Sequence, residues 1–71
     1  AEQIDLEARD SAGRTALLLA VLRGQSNAVD ALLAAGADPN SAAADGATPL
    51  EAAQSAHRLS IAAALRRAGA R

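Results

Sequence analysis

The chain holds few groups with which to do chemistry. His57 is its single histidine, cysteine is absent, and all seven basic residues are arginine. A Cys–His nucleophile pair is therefore impossible. Serine, histidine and aspartate are all present, but no motif builds a Ser-His-Asp triad around a histidine placed in a short turn. Zinc needs several His, Cys or carboxylate ligands converging on one point, and no such spacing occurs. The stretch from Asp38-Pro39-Asn40 to Asp45-Gly46 has the oxygen groups of a calcium loop. It carries Ala43 where such a loop needs Gly and Pro49 where it needs Glu, so these residues read as turn formers. Gly13-Arg14-Thr15 leads into a helix start, where an anion can bind, but lacks the Gly-rich cradle and its Lys. Asp30 and Glu51 read as solvated or capping groups. The expectation is a non-catalytic chain with no metal and no cofactor.

Composition narrows the remaining classes. The 71 residues are 51% apolar, mostly alanine, with no aromatic residue and no Met. Leu, Ile and Val must supply the large packing groups, each worth roughly 1.5–3 kcal/mol when fully buried. Ordering the chain costs about 1–2 kcal/mol per residue, so marginal stability in isolation is expected. The net charge of −1 leaves no electrostatic footprint for nucleic acid or an anionic membrane. Apolar runs such as Ala16 to Leu22 are too short to span a bilayer, and the first ten residues do not read as a signal peptide. A soluble, cytoplasmic chain is expected.

What must position these residues is a repeat. Thr15-Ala16-Leu17 returns as Thr48-Pro49-Leu50, Gly13 as Gly46, Ala20 as Ala53, Leu32 as Leu65 and Gly36-Ala37 as Gly69-Ala70, each 33 positions on. A constant period of this length marks stacked supersecondary units. In the first unit, Thr15 precedes a run of strong helix formers from Ala16 to Leu22, closed by Arg23-Gly24. Ser26 or Asn27 can cap a second helix to about Ala35, with Val29, Leu32 and Leu33 as its apolar face. Gly36 stops it, and Ala37-Asp38-Pro39-Asn40 forms a turn segment. The second unit opens on a Thr48-x-x-Glu51 capping box with Pro49 at the first helical position. Its first helix runs to about Ser55 or Ala56 and its second from about Leu59 to Ala68. His57 stands where the first unit has Gly24, so that turn is expected to be strained or differently closed.

These motifs resemble ankyrin repeats. The first copy is Gly13-Arg14-Thr15-Ala16-Leu17 with Ala20, Gly24, Leu32-Leu33 and Gly36-Ala37-Asp38-Pro39-Asn40. The second is Asp45-Gly46-Ala47-Thr48-Pro49-Leu50 with Ala52-Ala53, Leu65 and Gly69-Ala70, and the match covers Asp10 to Ala70. The resemblance implies an all-α solenoid of stacked antiparallel helix pairs with projecting hairpin-like loops. Ala16 replaces the family's Pro, and Leu18 and Glu51 replace its His, so the hydrogen-bond network around that His is not expected. The chain divides into a loop remnant of a preceding repeat (1–9), a repeat (10–42) and a C-terminal capping repeat (43–71). The cap is read from Arg66, which stands where Leu33 stands in the first unit, and from Arg67 beside it in the last helical turn.

The resemblance also implies a protein-binding surface made by loop tips and first helices. By position it takes in Ser11, Ala12, Arg14, Leu22 and Arg23 in the first unit, and Ala44, Asp45, Ala47, Ser55 and Ala56 in the second. Leu18 and Leu22 share a helix face, expected to form an open apolar edge toward an absent preceding unit, a place for a partner or self-association. The alternative is a structural cap of a longer array whose recognition surface, or an attached catalytic domain, lies upstream.

Overall fold

The computed structural model describes residues 6–70. Four helices follow in order: α1 (Ala16–Arg23), α2 (Ser26–Ala34), α3 (Pro49–Ser55) and α4 (Leu59–Arg67). α1 packs on α2 and α3 on α4 within each unit, while α1 meets α3 and α2 meets α4 between units. The all-α stack of helix pairs is thus present. Of the loop remnant expected at 1–9, residues 1–5 lie outside the described residues.

The 33-residue period governs the backbone hydrogen bonds as well as the residue types. Gly24 and Gln25 N–H donate to the carbonyls of Val21 and Ala20 at 3.1 and 2.9 Å, and His57 and Arg58 donate to Gln54 and Ala53 at 3.1 and 2.8 Å. After the second helices, Gly36 and Ala37 donate to Leu33 and Leu32, as Gly69 and Ala70 donate to Arg66 and Leu65. These paired bonds satisfy carbonyls that a helix end leaves free, and they require a left-handed residue just past it. Gly24 takes φ 70° and His57 φ 57°, the latter the one non-glycine with positive φ among the described residues. The turn at His57 therefore closes like its glycine counterpart, with a Cβ where the backbone disfavours one.

Side chains start the first helices but not the second ones. Thr15 Oγ1 accepts the Leu18 N–H at 3.3 Å. Thr48 Oγ1 accepts the Glu51 N–H, and Glu51 Oε1 accepts the Thr48 N–H, both at 3.2 Å, completing the expected capping box. The expected cap at Ser26 or Asn27 is corrected. Gln25 is the N-cap of α2, and no side chain caps that helix. The preceding turn is so tight that Ser26 N–H donates to Gly24 O and Ser26 is already the first helical residue.

The core lies between the four helices: Leu17, Leu18, Val21, Val29, Leu50, Ile61 and Leu65, with alanines where backbones approach. Leu6, Leu32 and Leu33 pack partly buried against it. Leu18 overturns the expectation of an open edge. It is 1% exposed and, with Leu22, lines the seam against the second unit beside Ala47 and Ala52. Helical spacing reports that Leu18 and Leu22 share a face, not which neighbour that face meets. Here it meets α3.

Candidate partner-binding surface

Each unit projects a loop tip closed by paired backbone bonds. Asp10 N–H donates to Arg14 O at 3.0 Å and Gly13 N–H to Asp10 O at 2.9 Å. In the next unit, Ala43 N–H donates to Ala47 O and Gly46 N–H to Ala43 O, both at 2.9 Å. The tips join each other, because Ala44 N–H donates to Ala12 O at 3.1 Å. Gly13 permits this approach. A Cβ there would stand 2.7 Å from the Ala44 nitrogen.

Carboxylates hold the tips in shape. Asp10 Oδ1 accepts the N–H groups of Ala12 and Arg14 at 2.9 and 2.8 Å, and Asp10 Oδ2 accepts Arg14 Nε at 3.0 Å. The hydrogen bond from the Arg14 backbone is the largest influence holding the Asp10 carboxyl below its ordinary value of 3.8, with Ala12 N–H and the Arg14 guanidinium adding to it. Asp45 Oδ1 accepts Ala47 N–H at 3.0 Å, and Asp38 Oδ1 accepts Asn40 N–H at 2.9 Å. Both aspartates are therefore turn formers.

Two arginines strap unit to unit. Arg9 donates to the Ser41 hydroxyl and the Ala42 carbonyl, and also to Gly13 O at 2.8 Å. Arg58 Nη2 donates to Leu22 O at 3.2 Å, at the negative end of α1. Its guanidinium lies over Gly24, where a Cβ would stand 2.5 Å from Arg58 Nη1. Its Nε is buried without a hydrogen-bond partner. Sequence reasoning missed Arg58, although its partner site is marked by a glycine.

Between the tips and the first helices runs an open groove of about 540 Å³ lined by Leu22, Asp45, Gly46, Ala47, Glu51, Ala52, Ser55 and Ala56. A second hollow of about 230 Å³, sharing Leu22, Asp45, Ala47 and Ala52, extends it over Ala12, Arg14, Leu18 and Ala43. The fold thus brings together Ala12, Arg14, Leu22, Asp45, Ala47, Ser55 and Ala56, with Leu18 as buried floor. Ser11, Arg23 and Ala44 are exposed but line neither hollow. Gly46, Glu51, Ala52 and Ala43 join the lining unannounced. Glu51 was legible only as a cap, which it is, yet the same side chain forms part of the groove wall.

Asp45 and Glu51 each commit an oxygen to backbone N–H groups, and His57 stands exposed in the turn after α3. No helix among the described residues is long and apolar enough to cross a membrane.

Comparison with known proteins agrees with this architecture. A family model described as ankyrin repeats (3 copies) matches residues 2–71. The chain is also 48% identical over 50 residues, 70% of its length, to the inactive serine/threonine-protein kinase TEX14 of Bos taurus. It spans about 3% of that protein's length. With a family match over nearly the whole sequence and a stack of helix pairs repeating in its hydrogen bonds, the chain belongs to the ankyrin-repeat family, whose members are generally non-catalytic protein–protein interaction modules.

Proposed function

We propose that this chain binds a protein partner through its loop tips and first helices. The observation that carries the reading is the groove lined by residues of both units, Leu22 from the first and Asp45 to Ala56 from the second. Leu22 is 41% exposed there, one of two large apolar side chains that face solvent among the described residues. The test is to select peptides against the full chain from a random displayed library and to map them by amide chemical shifts. Shifts at Arg14, Leu22, Asp45, Ala47, Ser55 and Ala56 are expected. Shifts confined to α2 and α4 would overturn the reading.

A capping role for the second unit has its own support. Arg66 and Arg67 are exposed on α4, where the first unit packs Leu33 against the core. His57 adds to this. A Cβ at Gly24 meets the next unit's Arg58, so the β-carbon of His57 would obstruct an equivalent strap from a following repeat. Grafting residues 43–70 onto the end of an uncapped ankyrin array is expected to raise its Tm; an unchanged Tm would sink this reading.

A further inference from the structure

The groove owes its shape to a difference between the two units. At equal register the first unit carries Arg14, Leu18, Leu22 and Arg23, and the second carries Ala47, Glu51, Ser55 and Ala56. Four long side chains are thus matched by two small apolar ones, a serine and a carboxylate. The result is a hollow with one apolar wall, Leu22, a floor that includes Ala47, Ala52 and Ala56, and two carboxylates, Asp45 and Glu51. No arginine is among the residues that line this hollow, and Arg23, beside Leu22, lines neither it nor its neighbour. Arg14, which lines the adjoining hollow, is already paired with Asp10 at 3.0 Å. A volume near 540 Å³ falls in the range of about 300–1,000 Å³ typical of ligand sites, but the groove is open along its length. That form suits a side chain projecting from a partner rather than an enclosed small molecule.

Resting on the binding reading above, we infer that the groove takes a protein segment in which a bulky apolar side chain stands beside Lys or Arg. The apolar group packs on Leu22 and the alanine methyls. The cation meets the carboxylates of Asp45 and Glu51, which line the groove while each gives one oxygen to a backbone N–H. This charge complementarity selects a basic partner and disfavours an acidic one.

Two substitutions separate charge from fold. Asp45→Asn keeps the side-chain oxygen that accepts Ala47 N–H, and Glu51→Gln keeps a capping-box acceptor. Leu22→Ser installs at an exposed position the residue that the second unit carries at the same register. Peptides selected from the displayed library would be synthesised with a fluorophore and titrated against the full chain and these variants. Enriched peptides are expected to pair Leu, Met or an aromatic residue with Lys or Arg. The D45N/E51Q double variant is expected to bind them about fivefold to tenfold more weakly, with the difference shrinking in salt. Leu22→Ser should weaken them by a similar factor. Enrichment of acidic or uncharged peptides that still depend on Leu22 would overturn this inference and leave the binding reading standing. Peptides indifferent to all three substitutions, or no enrichment, would overturn both.

Discussion

His57→Gly offers the sharpest test of how the repeat closes. Residue 57 sits at φ 57°, and the bonds around it duplicate those around Gly24. A side chain in the left-handed region costs roughly 1–2 kcal/mol. Histidine is among the residues that tolerate that region better than most, which argues for the lower end. Glycine removes the cost but returns about 0.4–1 kcal/mol of freedom to the unfolded chain. The imidazole is exposed, so little packing is lost. The net expectation is a gain of up to about 0.6 kcal/mol, or up to roughly 5 °C in Tm for a domain of this size. His57→Ala is the control, because alanine keeps the Cβ and the strain. Thermal unfolding by circular dichroism of the three chains measures the differences. If glycine lowers Tm, or alanine raises it as much as glycine does, the imidazole rather than the backbone governs this turn and the reasoning fails.

Three further outcomes are expected. Gly24→Ala combines left-handed strain with displacement of Arg58 from Leu22 O, a loss of about 2 kcal/mol in urea unfolding, and it should cost less in an Arg58→Ala background. Thr48→Ala removes the capping box of α3 and should cost about 1 kcal/mol by the same assay. The Asp10 carboxyl is lowered by the Arg14 and Ala12 hydrogen bonds, so its contribution is present above the unfolded value of 3.8 and is lost as pH falls through the lower folded value. Thermal melts should therefore show Asp10→Asn less stable than the parent near neutrality, with the gap closing below that window; a gap that persists in acid would refute the role given to the charge.

The fold was legible because glycine and threonine spacing reports backbone needs, and those needs recur with the units. Thr15, Thr48, Gly24 and Gly36 each mark a place where a helix begins or ends. Side-chain reach was less legible. Arg58 bonds a carbonyl 36 positions away, and a linear pattern of residue types does not say that a guanidinium arches over Gly24. The direction of the Leu18–Leu22 face was misread for a related reason. An apolar stripe on a stacked helix can serve the unit before or the unit after, and only the placement of α3 decides between them. The groove residues were legible in position because loop tips precede first helices in each unit. The carboxylate wall at Glu51 was not, since one residue type served two purposes.

The straps explain why these units act together. Arg9 reaches from the first loop to Ser41 and Ala42 of the second, Ala12 O receives Ala44 N–H, and Arg58 reaches back to the end of α1. On the other flank, Glu7 Oε2 accepts Asp38 N–H and Asn40 Nδ2 donates to Gly69 O, at 2.9 and 3.2 Å. Glu7 and Asn40 hold the same register, so the same loop position reaches the following unit twice, though to backbone groups at different registers. All these bonds run forward or backward along the stack rather than closing within a helix pair. An isolated pair would leave Leu18 uncovered on the side that meets Ala47 and Ala52, as well as these donors and acceptors unpaired. Stability in such a stack resides in the interfaces between neighbours. The groove lies across one such interface, with Leu22 on one side and Glu51 and Ser55 on the other. Loosening Arg58 from Leu22 O is therefore expected to alter the groove wall as well as the stability of the stack.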